Sequence, residues 1–195
     1  MTLSFDERLN QILPRLTSRD FLESKGLGNE IGFWIFDYPP DRELDMRSFL
    51  SGTVLPALAK HVPAMRVDTI DLLKFVTDVL EERNLLEKAM DMQLAKGDDS
   101  TLASLRPVLK EDKIAQRIAA QHDIASLDML ILTGVGVVYP MLRTHTLLSA
   151  LHPIMGNTPL LMFFPGRYDG HSLRLFNTLT DDHYYRAFRL VPETT

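Results

Sequence analysis

The chain has 195 residues, of which 45% are hydrophobic and 24% charged, as in an ordinary globular protein with one well-buried core. It contains no cysteine, which excludes disulfides, thiolate chemistry and Cys-ligated zinc or iron–sulfur clusters, and its net charge of −5 disfavours nucleic-acid coating. No apolar run approaches the roughly 20 residues of a membrane helix, and no apolar signal core follows the first residues. We therefore expect a cytoplasmic protein that contacts neither membrane nor nucleic acid.

The N-terminal segment, residues 1–30, is predicted to be helical. Apolar residues recur at helical spacing from Phe5 to Leu16, and Pro14 is expected to end or kink that helix. The aromatic-rich run Phe33–Phe36 then predicts a buried first strand.

Two prolines, Pro39 and Pro40, follow this strand and end it, because proline cannot donate a ladder hydrogen bond. Asp41 is a candidate N-cap for a helix from about Arg42 to Leu58. A second short strand is predicted over Ala64–Val67.

The middle of the chain is predicted to be helical. The longest pattern places apolar residues on one wide face from Ile70 to Met92. Gly97–Ser100 predicts a break, and a polar helix follows from about Thr101 to Ala120, interrupted near Pro107.

The last third alternates between apolar runs and helical patterns. The predicted elements are a strand at Met129–Thr133, a helix at Leu142–Leu151, a strand at Leu160–Phe164, a helix at Ser172–Leu179 and a strand at Tyr185–Val191. Such alternation favours a mainly parallel sheet flanked by helices, in one α/β domain over residues 1–195 with a motif-rich strand–helix–strand region at 130–192.

A nucleotide-binding fold is the first hypothesis that this architecture suggests. Gly166–Gly170 has three intervening residues where a P-loop has four, and no lysine follows it. Gly134 and Gly136 lack the third glycine of a dinucleotide fingerprint. Asp37 resembles a magnesium-holding aspartate at a strand end, but without the lysine-bearing loop. The prediction is a degenerate fold of this type without its motifs.

Catalytic and metal sites are also incomplete. Ser172 lies beside His171 and Asp169, yet no nucleophile elbow presents it, so Asp169 is interpreted as a turn residue and Ser172 as a helix cap. The consecutive residues Asp181–His183 rarely converge on one ion. We expect no enzymatic activity, no catalytic residue, no metal and no cofactor.

Arginines near the predicted strand ends are the remaining candidates for a binding site. Residues 130–195 hold five arginines and no lysine against four acids, and arginine forks suit carboxylates and phosphates. The candidate anion or partner contacts are Arg143, His145, Arg167, Tyr168 and Arg174. The alternative is that these arginines brace the fold through Asp37, Asp169 or Asp181.

Glycines and prolines are expected to shape the turns around those candidates. They are Pro39, Pro40, Gly134, Gly136, Pro140, Pro165, Gly166 and Gly170.

Four segments together resemble one known family. They are GFWIFDYPP, LTGVGVVYPMLRTHTLL, FFPGRYDGHSLRLF and DDHYYRAFRLVP, spread over Gly32 to Pro192. The compound pattern resembles the BrxB family, the small component of BREX bacteriophage-defence systems, for which no catalytic residue can be carried over.

The resemblance implies membership of a multi-protein assembly. It favours a non-catalytic adaptor that assembles or regulates other BREX proteins, with PglZ, a protein of the alkaline-phosphatase superfamily, as the first partner to test. The alternative hypothesis is a sensor or enzyme that binds a phosphate or nucleotide through the Gly166–Gly170 turn and Arg143 or Arg167. Self-association is left open.

Overall fold

A computed structural model of the chain describes residues 2–18, 21, 32–181 and 187–193, with the backbone alone for Thr180 and Asp181. Its strands are β1 Phe33–Tyr38, β2 Val67–Asp71, β3 Met129–Thr133, β4 Leu160–Tyr168, β5 Leu173–Leu175, β6 Leu179–Asp181 and β7 Phe188–Arg189. Its α-helices are α1 Phe5–Leu16, α2 Glu43–Phe49, α3 Leu55–His61, α4 Leu72–Glu82, α5 Leu86–Lys96, α6 Asp98–Leu105, α7 Glu111–Gln121, α8 Val135–Val138 and α9 Thr144–Met155. Short 3-10 turns occupy Pro40–Arg42 and Ile124–Ser126, and a π-helical turn at Leu50–Val54 joins α2 to α3.

The predicted mainly parallel sheet flanked by helices is confirmed. Five strands pair in the order β2-β3-β4-β1-β7, and every pair is parallel. Beyond the carboxyl end of β1, the last residues of β4 pair antiparallel with β5, which pairs antiparallel with β6. The chain therefore adds a small antiparallel extension to one end of a parallel α/β sheet.

Apolar side chains fill the space on both faces of this sheet. On one face, Leu130, Leu132 and Met162 belong to a core shared with α4, α7 and α9. On the other, Ile131 and Phe163 belong to a core shared with α1 and the helical stretch 40–61. Strands β3 and β4 are buried on both sides because alternate side chains enter different cores.

The predicted helix at Ser172–Leu179 is wrong. This segment forms β5, a turn and β6, with Leu173 and Leu175 buried and Arg174 exposed between them. That alternation has the period of a strand, and its turn carries Phe176 and Asn177 in place of the glycine that usually marks a tight hairpin. The region 130–192 thus contains a hairpin where a second helix was expected.

The predicted strand at Ala64–Val67 is displaced. The strand begins only at Val67 and runs to Asp71, where the side chain of Asp71 accepts hydrogen bonds from the N–H groups of Leu73 and Lys74. This cap starts α4 and places Ile70 in the strand, so the pattern predicted as one helix over Ile70–Met92 divides into strand, α4 and α5.

Other boundaries differ in smaller ways. Helix α1 continues through Pro14 to Leu16, with Ser4 and Glu7 forming a capping box at its start. Asp41 lies inside the Pro40–Arg42 turn and caps nothing there. Gly97 alone separates α5 from α6, whereas the interruption near Pro107 is confirmed.

Some predictions lie outside the described residues. These are residues 19–20 and 22–30 of the predicted N-terminal segment, and residues 185–186 at the start of the last predicted strand, of which β7 is the described part. Within the described ranges, every helix is too short or too polar to cross a bilayer.

Candidate functional site

The carboxyl ends of β1 and β4 form a crevice in the middle of the sheet. The helical stretch after β1 and helix α9 after β3 pack on opposite faces, so the chain leaves neighbouring parts of the sheet in opposite directions. Ligands and partners of open α/β sheets bind outside the carboxyl ends at such points. This edge is therefore where a functional site is expected.

A buried carboxylate lies at the base of the crevice. Asp37, at 1% exposure, accepts a hydrogen bond from Nη2 of Arg8 at 2.6 Å and from the backbone N–H of Tyr168 at 2.9 Å. Nη2 of Arg189 lies 3.3 Å from its second oxygen. Arg8, at 5% exposure, also donates to the carbonyl of Val191 and packs over the Phe36 ring.

These contacts decide what Asp37 can do. Both carboxylate oxygens are engaged by donors, so the group is not a free base or an available magnesium ligand. Instead it ties α1, β1, β4 and the C-terminal segment together. Asp37 braces the fold, but its partners are Arg8 and Arg189 and not the arginines considered from the sequence.

Sequence reasoning missed both of these arginines. Arg8 lies three residues after Phe5 and four before Ile12, on the apolar face of α1, and a charge in such a position signals a buried partner. Arg189 had no comparable local signal, because it is 152 residues from Asp37.

The antiparallel extension separates two cavities. We call the end of β4 (Gly166–Tyr168) with β5 and β6 the ribbon. Leu173 and Leu175 on its inner face line a cavity of about 480 Å³, here called the Arg143 cavity. Arg167, which alternation places on its outer face, lines a cavity of about 330 Å³ that reaches Arg8 and Asp37, here called the Arg167 cavity.

The predicted contact residues are thus divided between two places. Arg143 and His145 line the first cavity together with Thr144, at the start of α9. The exposed Arg143 occupies the N-cap position, makes no side-chain capping bond and donates its own N–H to a carboxylate oxygen of Glu111 at 3.2 Å. A cation beside the N-terminal end of a helix is a chemically suitable environment for an anion.

Arg167 and Arg174 form a like-charged pair across the ribbon. They are register partners in the β4–β5 ladder and both side chains are exposed. Among the described residues, neither side chain makes an ion pair within 4 Å. Opposed like charges destabilise a strand pair, so the fold itself gives no reason for this arrangement.

Tyr168 is not a surface contact. Its side chain is 1% exposed, its hydroxyl donates to the carbonyl of Ala187 at 2.8 Å and its N–H donates to Asp37. The expectation that it touches a ligand or partner is corrected: the alternation of β4 points it into the core while Arg167 points outward.

Asp169 occupies the turn between β4 and β5, as predicted. Its carboxylate accepts hydrogen bonds from the N–H groups of His171 and Ser172 and from the Ser172 hydroxyl. These bonds, with a smaller contribution from Arg174, lower the pKa of Asp169 to about 2. Ser172 caps no helix, because a strand follows, and the turn amides that could hold a phosphate are already occupied.

The predicted turn-shaping residues fall into two groups. Gly134 and Gly170 have φ of +74° and +97°, and Pro39 and Pro40 end β1 at the start of a 3-10 turn. Pro165 and Gly166 instead lie inside β4. A Cβ on Gly166 would approach the Arg174 carbonyl oxygen to 2.1 Å, so glycine here permits the ribbon to form.

An exposed aromatic pair borders the ribbon. Phe176 at the hairpin tip and Tyr139, which precedes Pro140 through a cis peptide bond, meet edge to face with centroids 6.3 Å apart. They remain 37% and 38% exposed. Gly136 allows this contact, since a Cβ there would lie 2.8 Å from the Phe176 ring.

No group of three or more metal-ligating side chains occurs in the part of the chain that the structure describes. Asp182 and His183 lie outside that part. What the described edge does offer is cationic and aromatic surface beside two cavities.

Comparisons with known proteins identify relatives. A family model described as BREX protein BrxB matches residues 68–190, which start within β2 and include β3, β4, the ribbon and the Arg143 cavity. A BREX protein BrxB of Bacillus cereus (strain H3081.97) is 42% identical over 190 residues, covering 95% of this chain and 97% of the relative. One of Escherichia coli O9:H4 (strain HS) is 41% identical over 187 residues, covering 96% and 92%. No solved structure matches the chain.

Proposed function

Since the chain belongs to the BrxB family, and BrxB is a component of BREX phage-defence systems, we propose that it is a non-catalytic adaptor that assembles or regulates other BREX proteins. The adaptor would act in the cytoplasm through protein contacts and without a cofactor.

One observation carries this proposal. At the carboxyl edge, two carboxylates suited to acid–base chemistry already have partners within the chain: Asp37 is bound by two arginines and Asp169 by the N–H groups of its own turn. The surface there includes exposed arginines and aromatic rings, the residue types enriched in the energetic centres of protein interfaces. The edge is therefore better suited to contact than to turnover.

PglZ is the partner proposed first. Affinity purification of the tagged full-length chain, co-expressed with the other BREX proteins, tests this directly. We expect PglZ to be retained in stoichiometric amount. Recovery of no BREX protein under conditions that keep the chain folded would contradict the adaptor function.

A second candidate function is the binding of a phosphate-bearing ligand. The Gly166–Gly170 turn no longer supports it, because Asp169 occupies the turn amides. The observation in its favour is the Arg143 cavity, where a guanidinium, a threonine hydroxyl and the start of α9 border about 480 Å³.

Thermal shift with ATP and with inorganic phosphate tests this candidate. A ligand at 100 times its Kd stabilises a protein by about 2.7 kcal/mol, which is roughly 5–10 °C in Tm for a chain of this size. Arg143→Gln should abolish the shift, and Arg106→Gln on the exposed end of α6 is the matched control. No shift with either ligand would dismiss the sensor hypothesis.

A further inference from the structure

The hairpin tip carries backbone strain at an aromatic residue. Phe176 has φ of +54° and Asn177 φ of +61°, in the three-residue loop between the register partners Leu175 and Leu179. Consecutive positive φ values are usual for asparagine and glycine in hairpin turns. A bulky residue rarely adopts positive φ. The strain retains an aromatic ring whose surface is 37% exposed, and such strain accumulates where function requires it.

A second unfavourable feature lies next to the first. Arg174 is two residues before Phe176 and opposite Arg167, so two exposed guanidinium groups share the outer face of the ribbon. The carboxylate of Asp169, in the turn between β4 and β5, already accepts hydrogen bonds from that turn. Two costly features on one hairpin indicate a surface that is completed by something outside the chain.

We propose that the docking face, formed by Tyr139, Arg167, Arg174 and Phe176, binds an acidic segment of a partner protein with an apolar side chain beside its carboxylates. The inference rests on the adaptor function and adds the surface and the chemistry of the partner. The carboxylates relieve the repulsion between Arg167 and Arg174, each guanidinium offering a planar fork to one carboxylate. The apolar side chain packs on the Tyr139–Phe176 pair.

The positive charge of the docking face favours an acidic protein segment over a second copy of this chain or a nucleic acid. A symmetric dimer through this face would bring the arginine pair of one copy towards that of the other. A nucleic acid would meet a chain of net charge −5, with only two arginines on this face. An acidic protein segment complements the local charge without either difficulty.

Two variants separate docking from folding. Arg167→Glu places a carboxylate opposite Arg174, which replaces a repulsive cross-strand pair by an attractive one. Phe176→Asn removes the ring at a position whose backbone suits asparagine. Arg167→Glu should not lower Tm. Phe176→Asn relieves the strain of positive φ but loses the packing on Tyr139, so it should keep a cooperative unfolding transition. Each variant should weaken partner binding about tenfold or more, as loss of an interface hot spot does.

Matched controls make equal changes away from the docking face. Lys88→Glu reverses one exposed charge on α5, and Leu94→Asn removes an exposed apolar side chain from the same helix. Both should leave partner binding within twofold of the unsubstituted chain.

The experiment is affinity purification of each full-length variant with the other BREX proteins, followed by titration of the recovered partner at two salt concentrations. The expected result is loss with Arg167→Glu and Phe176→Asn only, and weaker binding of the unsubstituted chain at high salt because exposed ion pairs are screened. If a partner is recovered but both variants bind it within twofold, the docking face is wrong and the adaptor function stands. If the unsubstituted chain recovers no BREX protein, both proposals fail.

Two further outcomes would overturn the acidic partner specifically. One is that the variants change only the self-association of the chain, measured by size-exclusion chromatography with light scattering. The other is that they abolish retention of nucleic acid, removed by nuclease, while leaving protein partners in place.

Discussion

Substituting Asp37 by asparagine tests the brace at the base of the crevice. The change keeps the side-chain volume but removes the charge that faces Arg189 and Arg8, whose side chain is 6% exposed. Removing one partner of a buried ion pair costs about 3–5 kcal/mol, because the other charge stays buried without compensation. We expect the lower end, about 3 kcal/mol, since Arg189 is partly exposed and asparagine still accepts the Tyr168 N–H. For a chain of this size that is roughly 6–12 °C in Tm.

Urea unfolding followed by the fluorescence of Trp34, the only tryptophan, measures this loss. Trp34 reports on the right region, because its ring centroid is 5.2 Å from that of Phe188, beside Arg189 in β7. The double variant with Arg8→Met should lose less than the sum of the two single variants, as expected for directly coupled groups.

Lys74→Met is the control, since it breaks only the exposed pair with Asp78 and should leave the unfolding midpoint unchanged. The reasoning about the brace is refuted if Asp37→Asn costs less than about 1 kcal/mol, or if the single-variant losses simply add.

Three further predictions concern the ribbon. Gly166→Ala should lower the free energy of unfolding by about 3 kcal/mol or more, because the new Cβ would meet the Arg174 carbonyl oxygen. Gly52→Ala is the control, since a Cβ there has no neighbour within 4 Å and should leave the free energy of unfolding unchanged. Thermal unfolding of the two variants compares them. Asn177→Gly should raise Tm slightly, since glycine adopts φ of +61° without strain; an unchanged or lower Tm would argue against the described turn. Asp169→Ala should lower Tm at pH 7. Because the folded pKa of Asp169 is depressed, its contribution is present above the unfolded value of 3.8 and is lost towards pH 2, so the difference in Tm should shrink over that window.

The central strands were predictable because local pattern determines them. Strand β3 has its predicted bounds at Met129–Thr133, and β1 begins at Phe33 as expected. Both are short apolar runs between turn signals, and their lengths of 5 and 6 residues favour a buried strand over a buried helix.

The ribbon was not predictable in the same way. Leu173 and Leu175 carry a strand signal of only three residues, and Phe176 at the turn disguises the hairpin. A glycine or asparagine at that position would have marked the turn. The unusual residue that misled the prediction is the one that the docking face uses.

The candidate site was predictable only in part. Arg143, Arg167 and Arg174 do lie at the carboxyl edge, as strand-end positions require. The sequence could not show that the ribbon places Arg143 and Arg167 at different cavities. That separation depends on which elements pack on each face of β4. The Asp37 brace joins residues 29 and 152 positions apart, and no local pattern encodes such a contact.

Direct titration of the purified chain into purified PglZ, by isothermal titration calorimetry, tests most closely the claim that this protein works through contacts and not through chemistry. The account predicts a saturable complex that Arg167→Glu weakens about tenfold or more and Lys88→Glu leaves unchanged. Absence of a complex with PglZ and, in the same assay, with every other BREX protein would contradict it.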